Sequence, residues 1–183
     1  MASKKNVLFL VSINNFDMKI TLNSFCEKHL DNTYCWMQDD KLRKDFMLSF
    51  LVTKDGHKEW YNKVIRDVTQ KIWAIYADQI HVGNVGLKYI DLKNRKAECW
   101  IYVGNFSMHG KHIGTYAWRT LFEDYEFVSM GLHKLYSYVA EWNIASQKMF
   151  LNAGFIEEGF LRDEVHFESN YVSLFRYGKI LNK

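Results

Sequence analysis

The chain has 183 residues, of which 48% are hydrophobic and 16% aromatic, and it carries a formal net charge of +3 at pH 7. This length and composition can bury one full core, so we predict a single domain over residues 1–183. Its 24 basic residues are scattered among 21 acidic ones. That distribution excludes the concentrated basic face of a nucleic-acid-binding protein.

Cysteine usage and the first residues indicate the compartment. Cys26, Cys35 and Cys99 show no CxxC spacing, and because there are three of them, one would stay unpaired in any disulfide pattern. We therefore predict neither a disulfide framework nor a zinc site, and a reducing cytoplasm fits best. The apolar stretch 7–13 is too short to cross a bilayer, so we expect a buried strand there and no membrane partner.

Residues 24–70 have the patterns of helices. Ser24, with Glu27 three residues later, matches a capping box and predicts the start of a first helix. A short second helix is expected over 39–46, and a longer third helix over 53–70, capped near Thr53.

After residue 70 the apolar period becomes that of strands. Two β-type runs joined at "ADQ" predict a hairpin over 71–92. The next predicted elements are a strand at 97–105, a helix behind residue 114, a strand at 133–140, a helix at 144–153 and two final strands at 155–165 and 171–180. This order predicts a mixed α+β class, in which helices pack on a central, largely antiparallel sheet.

The stretch "GKHIGTYAWRTLFEDYEF", residues 110–127, contains the clearest candidate site. Gly110 and Gly114 frame Lys111 and His112 directly before a run with helical spacing. A glycine turn that opens a helix presents backbone N–H groups to an anion. The letters match neither GxGxxG nor GxxxxGK[ST]. We therefore expect a pyrophosphate on the helix N-terminus, with the remainder of the ligand along the preceding strand.

Three motifs together resemble the GNAT superfamily of acyl-CoA-dependent N-acetyltransferases. "HGKHIG" at 109–114 stands where that family has Q/R-x-x-G-x-G/A. "NIASQKMFLNAGFIEEGFLR" at 143–162 is similar to its N-x-x-[AS]…G-F…E-G…R pattern, and "VGNVGLKYIDLKNRKAE" is similar to its central strands. The branch resembled holds ribosomal-protein N-terminal, spermidine and nucleotide-amino-sugar acetyltransferases. The resemblance spans residues 36–180 and implies a GNAT fold, with a twisted sheet of about seven strands.

This resemblance implies an acyltransferase with acetyl-CoA as co-substrate and no metal, in which a neutral amine attacks the thioester directly. The residues implied to hold acetyl-CoA lie on one strand, in the glycine turn and on the later helix: Ile101, Tyr102, Val103, His109, Gly110, Lys111, His112, Ile113, Gly114, Thr115, Asn143 and Phe150.

Two positions depart from the family pattern. His109 and His112 replace the usual Gln/Arg and a glycine, and we expect slight backbone strain at His112. Phe150 stands where the family often has a tyrosine that protonates the departing thiolate. Because a phenyl ring donates no proton, either the thiolate leaves as an anion or another donor serves.

The candidate catalytic residues are Glu98 and Tyr138. Strand alternation places Glu98, Trp100 and Tyr102 on one face. We predict that Glu98 takes the amine proton, the alternative being a structural ion pair with Arg95 or Lys96. Tyr138 is a candidate proton donor, although tyrosines at strand spacing are often packing residues.

The acceptor site is predicted from one helix face. His57, Trp60 and Tyr61 fall at i, i+3 and i+4, and with Trp100 they are candidates to line it; simple core packing is the alternative. A nucleotide-linked amino sugar is slightly preferred, because no acidic cluster for a polyamine is evident. A polyamine or a protein N-terminus as acceptor, and a catalytically silent CoA-binding module, remain alternatives. A homodimer is also possible.

Overall fold

The computed structural model describes residues 9–13 and 16–181, with side chains from Met18 onward. Its strands are β1 Phe9–Ile13, β2 Phe16–Ser24, β3 Lys71–Ala77, β4 Ile80–Asp91, β5 Lys96–Val103, β6 Lys134–Ala140, β7 Ile156–Phe167 and β8 Asn170–Ile180. Its α-helices are α1 Leu30–Trp36, α2 Asp40–Asp45, α3 Lys54–Val64, α4 Ile113–Glu123, α5 Tyr125–Ser129 and α6 Ile144–Asn152. Short 3-10 turns occupy Glu27–His29 and Phe106–Met108.

The strands form one sheet in the order β1-β2-β3-β4-β5-β6-β8-β7. All neighbouring pairs are antiparallel except β5 and β6, which are parallel. The predicted α+β class with a largely antiparallel sheet is confirmed. The described part of the chain contains eight strands rather than about seven, because β2 had no counterpart among the predicted elements.

The predicted first helix starts in the wrong place. Ser24 is the last residue of β2, paired with Trp73, and the N–H of Phe25 still donates to the carbonyl of Ile72 at 3.0 Å. These sheet hydrogen bonds outweigh a local capping box at Ser24. The helical turn begins at Glu27 instead, where the N–H of Cys26 donates to Nδ1 of His29 at 2.9 Å. The predicted strand at 7–13 corresponds to β1, but residues 7 and 8 and the burial of β1 lie outside the described residues.

The third helix has the predicted cap but is shorter than expected. Thr53 Oγ1 accepts from the N–H of Gly56 at 3.1 Å, which confirms the cap. The helix ends at Val64, and Asp67 then accepts from the N–H of Thr69 in a turn. Val68, which shares the helical apolar spacing, is 91% exposed.

The feature of the sheet that positions the site is the short pairing of β5 with β6. These strands pair only at Lys96–Glu98 and Lys134–Tyr136. The last pair is Glu98 with Tyr136, and beyond it the strands diverge. The remainder of β5 keeps β4 as its partner on one side only, whereas β6 pairs with β8 along its whole length. An open wedge therefore starts at Glu98 and Tyr136.

Candidate active site

A cleft with a volume of about 1000 Å³ occupies this wedge. It is lined by β5 over residues 98–103, by β6 over residues 137–139, by residues of α1–α3, and by the start of α6. Among the described residues no strand borders the diverging edge of β5, so its backbone N–H and carbonyl groups on that side can bind a ligand, apart from the carbonyl of Val103, which is within hydrogen-bond distance of His109.

The predicted alternation of β5 is confirmed. Ala97, Cys99 and Ile101 point into the main core, so Glu98, Trp100 and Tyr102 lie on the opposite face. The rings of Trp100 and Tyr102 are stacked, with centroids 6.0 Å apart. Trp100 covers Gly86 of β4, where an added Cβ would lie 2.3 Å from the indole. The glycine thus allows Trp100 to lie flat along the cleft.

Glu98 lies at the point where the wedge opens, and it lines the cleft. Its side chain is 13% exposed, and Oε1 is 2.8 Å from Nζ of Lys88. The alternative, an ion pair with Arg95 or Lys96, is wrong in its partner. Lys88 is the cross-strand neighbour on β4, whereas Arg95 donates to the carbonyl of Gly131 at 2.7 Å.

Tyr138 also lines the cleft, on the β6 wall. Its ring meets that of Tyr136 edge to face, with centroids 5.9 Å apart. The guanidinium of Arg176 lies over both rings, 4.8 Å from the centroid of Tyr136 and 5.6 Å from that of Tyr138. No sequence pattern pointed to Arg176.

A buried polar network supports Tyr102. The amide of Asn84 donates to Tyr102 Oη at 2.6 Å and to Thr33 Oγ1 at 3.1 Å, and Asn84 Oδ1 is 3.0 Å from Nε2 of His81. Burial raises the pKa of Tyr102, so its hydroxyl stays protonated at neutral pH. The network fixes the orientation of this ring, and it went unpredicted because its members come from α1, β4 and β5.

The glycine turn has the predicted backbone character. Gly110 has a φ of +76° and His112 a φ of +57°, both in the left-handed region. A side chain is disfavoured there, which agrees with the strain expected at His112. His109 lines the cleft, and its Nε2 lies 2.7 Å from the carbonyl oxygen of Val103, so the ring donates to β5. Lys111 Nζ lies 3.6 Å from Sδ of Met108.

The start of α4 follows this turn. Ile113, Gly114 and Thr115 are buried, and of the whole turn only His109 lines the cleft. Gly114 lies in the helix itself, and an added Cβ would come 2.7 Å from Sδ of Met149 on α6. Close approach of α4 and α6 therefore explains this glycine. Whether these residues bind acetyl-CoA stays a prediction.

Asn143 and Phe150 lie at the other wall. Asn143 lines the cleft, and its Oδ1 caps α6 by accepting from the N–H of Ser146 at 3.1 Å. Phe150 is 3% exposed, and its ring stacks on Tyr177 with centroids 5.9 Å apart. Phe150 thus gives the cleft an apolar wall with no proton donor.

The predicted acceptor residues divide into two groups. His57 and Trp60 line the cleft, and their rings are stacked with centroids 5.1 Å apart. Trp100 lines the cleft as well. Burial lowers the pKa of His57, and its Nε2 has no hydrogen-bond partner among the described residues. Tyr61 does not line the cleft; its ring packs edge-on against Phe25 at 6.0 Å. Helical spacing grouped Tyr61 with His57 and Trp60, but Tyr61 lies on the side of α3 that contacts Phe25.

The segment between α2 and α3 forms a cleft wall that was missed. Phe46 packs edge-on against Trp100 and Tyr102, with centroid distances of 6.2 and 5.5 Å. Phe50 and Leu51 line the mouth and are 61% and 69% exposed. The aperiodic apolar run "FMLSFLV" at 46–52 was the available signal, since a loop rich in large apolar residues needs something to cover it.

The charged residues lining the cleft are mostly paired with each other. Lys41 Nζ lies 2.6 Å from Oδ2 of Asp45, and Lys88 pairs with Glu98. Among the described residues, no three His, Cys, Asp or Glu side chains come together as a metal site requires. None of the described helices is long and apolar enough to cross a membrane.

Residues 19–156 match the family model described as the acetyltransferase (GNAT) domain. This match covers most of the chain, and the wedge between two parallel strands beside a glycine turn agrees with it. The chain therefore belongs to the GNAT acetyltransferases, and it is an acyltransferase of the N-acetyltransferase type.

Individual relatives agree with the branch predicted from the motifs. The chain is 32% identical over 121 residues to the spermidine N(1)-acetyltransferase of Vibrio cholerae serotype O1, a match that covers 64% of this chain and 67% of that protein. The crystal structure of spermidine N-acetyltransferase from Vibrio cholerae with CoA and spermine superposes with a TM-score of 0.79 at 26% identity. That superposition covers 88% of this chain and 95% of that one.

A second type of relative shares the fold. RimL, a ribosomal L7/L12 alpha-N-protein acetyltransferase solved in complex with coenzyme A, gives a TM-score of 0.77 at 15% identity. The superposition covers 88% of this chain and 94% of that one. Both of these structures contain CoA, and one solved form of the Vibrio cholerae enzyme is dodecameric.

Proposed function

We propose that this protein moves the acetyl group of acetyl-CoA to the primary amine of a small acceptor by direct attack. The observation that carries this proposal is the divergence of β5 and β6 beyond Glu98 and Tyr136, which opens a cleft between a free strand edge and α6. Such a cleft can hold two reactants side by side, and positioning supplies most of the catalysis in a direct transfer.

The residues present fit acetyl-CoA. The free edge of β5 over residues 101–103 offers backbone groups to its peptide-like arm and an N–H to the thioester carbonyl. At Gly110 an added Cβ would have no atom within 4 Å, so the turn leaves room for a pyrophosphate before the first N–H groups of α4. Asn143 is placed to bond the arm, while Phe150 contributes an apolar surface.

In this proposal Glu98 and Tyr138 move the protons. Glu98, at the start of the wedge, takes a proton from the attacking amine, and Lys88 holds its carboxylate in place. Tyr138 supplies a proton to the departing sulfur in place of the tyrosine that is missing at Phe150. Both side chains line the same cleft, on opposite walls.

For the acceptor, we propose a nucleotide-linked amino sugar first and a polyamine second. The flat rings of Trp60 and Trp100 suit a sugar or a base. The side chain of Lys41 is 74% exposed and can exchange Asp45 for a phosphate. A polyamine, acetylated by the Vibrio cholerae relative, would need several unpaired carboxylates, whereas Asp45 and Glu98 already have lysine partners.

We also propose that the chain works in the cytoplasm as a single domain, alone or as a homodimer. Three free cysteines, one of them buried and one exposed, suit a reducing compartment.

The test is thiol release from acetyl-CoA with a panel of amines, corrected for the protein's own cysteines. The panel holds nucleotide-linked amino sugars, spermidine and short peptides with free N-termini. We expect turnover with amino sugars above turnover with spermidine. Best turnover with spermidine or a peptide would replace the proposed acceptor, and acetyl-CoA binding without turnover of any amine would refute the proposed transfer and favour a silent CoA-binding module.

A further inference from the structure

A β-bulge beside the cleft gives Glu158 an unusual position. The register of β7 on β8 shifts between Glu157 and Gly159, so Glu158 is the extra residue. Its carboxylate lies over Gly178 of β8, where an added Cβ would come 2.2 Å from Oε1. Bulges commonly redirect one side chain next to a functional site. Here the bulge and Gly178 together direct a carboxylate along the sheet face.

That carboxylate pairs closely with one cation, Lys134, and more loosely with a second, Arg176, whose Nε makes no hydrogen bond to the described residues. Oε1 of Glu158 is 2.5 Å from Nζ of Lys134, and Oε2 is 3.4 Å from Nε of Arg176. Arg176 is the direct cross-strand neighbour of Tyr138 on β6, and on its other side stands Gly159, where an added Cβ would have no atom within 4 Å. That face of β7 is therefore open beside Arg176 among the described residues, and the guanidinium lies against the rings of β6 instead.

The guanidinium of Arg176 lies over the tyrosine pair, 4.8 Å from the ring centroid of Tyr136 and 5.6 Å from that of Tyr138. A cation over a ring face is attractive, and the planar guanidinium also restricts how the ring can turn. Burial, with the charges of Glu98 and Tyr138, raises the pKa of Tyr136, and Arg176 opposes that rise. Arg176 therefore places a positive charge against the faces of both tyrosine rings, and one of these residues, Tyr138, lines the cleft.

We propose that Arg176, held by the bulged Glu158, is a positioning residue that keeps Tyr138 oriented as the proton donor of the transfer. The inference rests on the proposed function, in which Tyr138 donates the proton in place of a tyrosine at position 150. The amine nitrogen forms a bond to the thioester carbon, and its proton goes to Glu98. The C–S bond breaks, the sulfur keeps the electron pair, and it takes the proton of Tyr138 Oη. The phenolate is stabilised by Arg176 until Glu98 or water returns a proton.

The experiment is a double-mutant cycle on the full-length protein, measured with the best acceptor of the amine panel. Arg176→Met should lower kcat about tenfold, leave KM for acetyl-CoA unchanged, and move the alkaline limb of the pH–rate profile to higher pH. Arg176→Lys, which keeps the charge, should bring the alkaline limb part of the way back to its wild-type pH. In a Tyr138→Phe background, Arg176→Met should cost no further activity.

The control is Arg66→Met, an exposed arginine outside the cleft, which should behave as wild type. If Arg176→Met does not fold, Glu158→Gln should give the same pattern with a smaller loss. An unchanged alkaline limb, or an equal loss in the Tyr138→Phe background, would overturn the role of Arg176. These outcomes require an active wild type, so inactivity of the wild type with every amine is a failure of the proposed function instead.

Discussion

At the scale of single residues, the closed end of the cleft is defined by Glu98, whose carboxylate pairs with Lys88 on β4. The face shared by Glu98, Trp100 and Tyr102 depends only on alternation along one strand and was predicted correctly. The partner of Glu98 was not, because Lys88 is reached across the β4–β5 hairpin. Arg95 lies outside β5 and donates to Gly131, whereas Lys96 shares the face of Glu98 but lies two residues along the strand, farther away than a direct cross-strand partner.

Replacing Glu98 tests its role as the base. Glu98→Gln keeps the shape but cannot accept a proton, so we expect kcat to fall about 100-fold at neutral pH. Acetyl-CoA affinity should be preserved, because the carboxylate lies at the closed end of the wedge and not along the β5 edge that is proposed to bind acetyl-CoA. Steady-state kinetics and calorimetric acetyl-CoA titration measure these two quantities.

Lys88→Met is the matched control, since it removes the same ion pair but keeps the carboxylate. Its loss of kcat should stay within about tenfold. Equal losses in the two variants would mean that the ion pair, and not proton transfer, accounts for the effect.

At the scale of elements, caps and turns followed the sequence closely except where the sheet competed for the same residues. Thr53 caps α3 as predicted, and the "ADQ" turn joins β3 to β4 with Asp78 and Gln79 both at positive φ. Such a turn matches the twist of an antiparallel pair. The capping box at Ser24 failed because β2 extends through that residue.

The junction of α4 with α6 provides a test of the proposed anion site. Gly114→Glu and Gly114→Gln have nearly equal volume, and both must displace the flexible end of Met149. Only the glutamate adds a negative charge at the helix N-terminus, where a pyrophosphate would lie. We expect the glutamine variant to bind acetyl-CoA weakly and the glutamate variant to lose binding, as measured by calorimetry.

Thermal unfolding of both variants serves as the folding control; binding is compared at a temperature at which both are folded, because a carboxylate at this buried position costs more stability than an amide. Equal acetyl-CoA affinity for wild type and Gly114→Glu would remove the anion site from this turn.

At the scale of the whole molecule, buried histidines link stability to pH. Burial, with smaller contributions from the charges of His81 and Lys28, lowers the pKa of His29 to about 4. Nδ1 of His29 accepts from the N–H of Cys26, and Nε2 donates to Tyr76 Oη at 3.0 Å, an arrangement that only the neutral ring can make. Burial lowers the pKa of His57 and His81 as well.

The unfolded chain therefore binds more protons than the folded one between pH 6.5 and about 4. The contribution of neutral His29 is complete above pH 6.5 and is lost as the pH falls towards 4. We expect His29 alone to lower the free energy of unfolding by roughly 2 kcal/mol at pH 5 relative to pH 7. Urea unfolding at the two pH values measures this difference. His29→Gln should make this difference in the free energy of unfolding smaller, whereas replacement of the exposed His133 should leave it unchanged. Equal stability of the wild type at both pH values would contradict the linkage.

Features that depend on neighbours along the chain could be predicted from the sequence. Strand and helix periods, the glycine turn and the left-handed position at His112 follow from spacings of two to four residues, and the order of motifs indicated the family. These patterns arise because each residue's backbone geometry and facing are set locally.

The tertiary structure decided what depends on strand order and register. It placed β8 between β6 and β7, stopped the β5–β6 pairing at Glu98 and Tyr136, and brought Arg176 opposite Tyr138. It also put the apolar segment 46–52 over the cleft and turned Tyr61 away from it. These contacts join residues far apart in the chain, and a shift of one residue in any strand would exchange every face, so no local spacing could specify them.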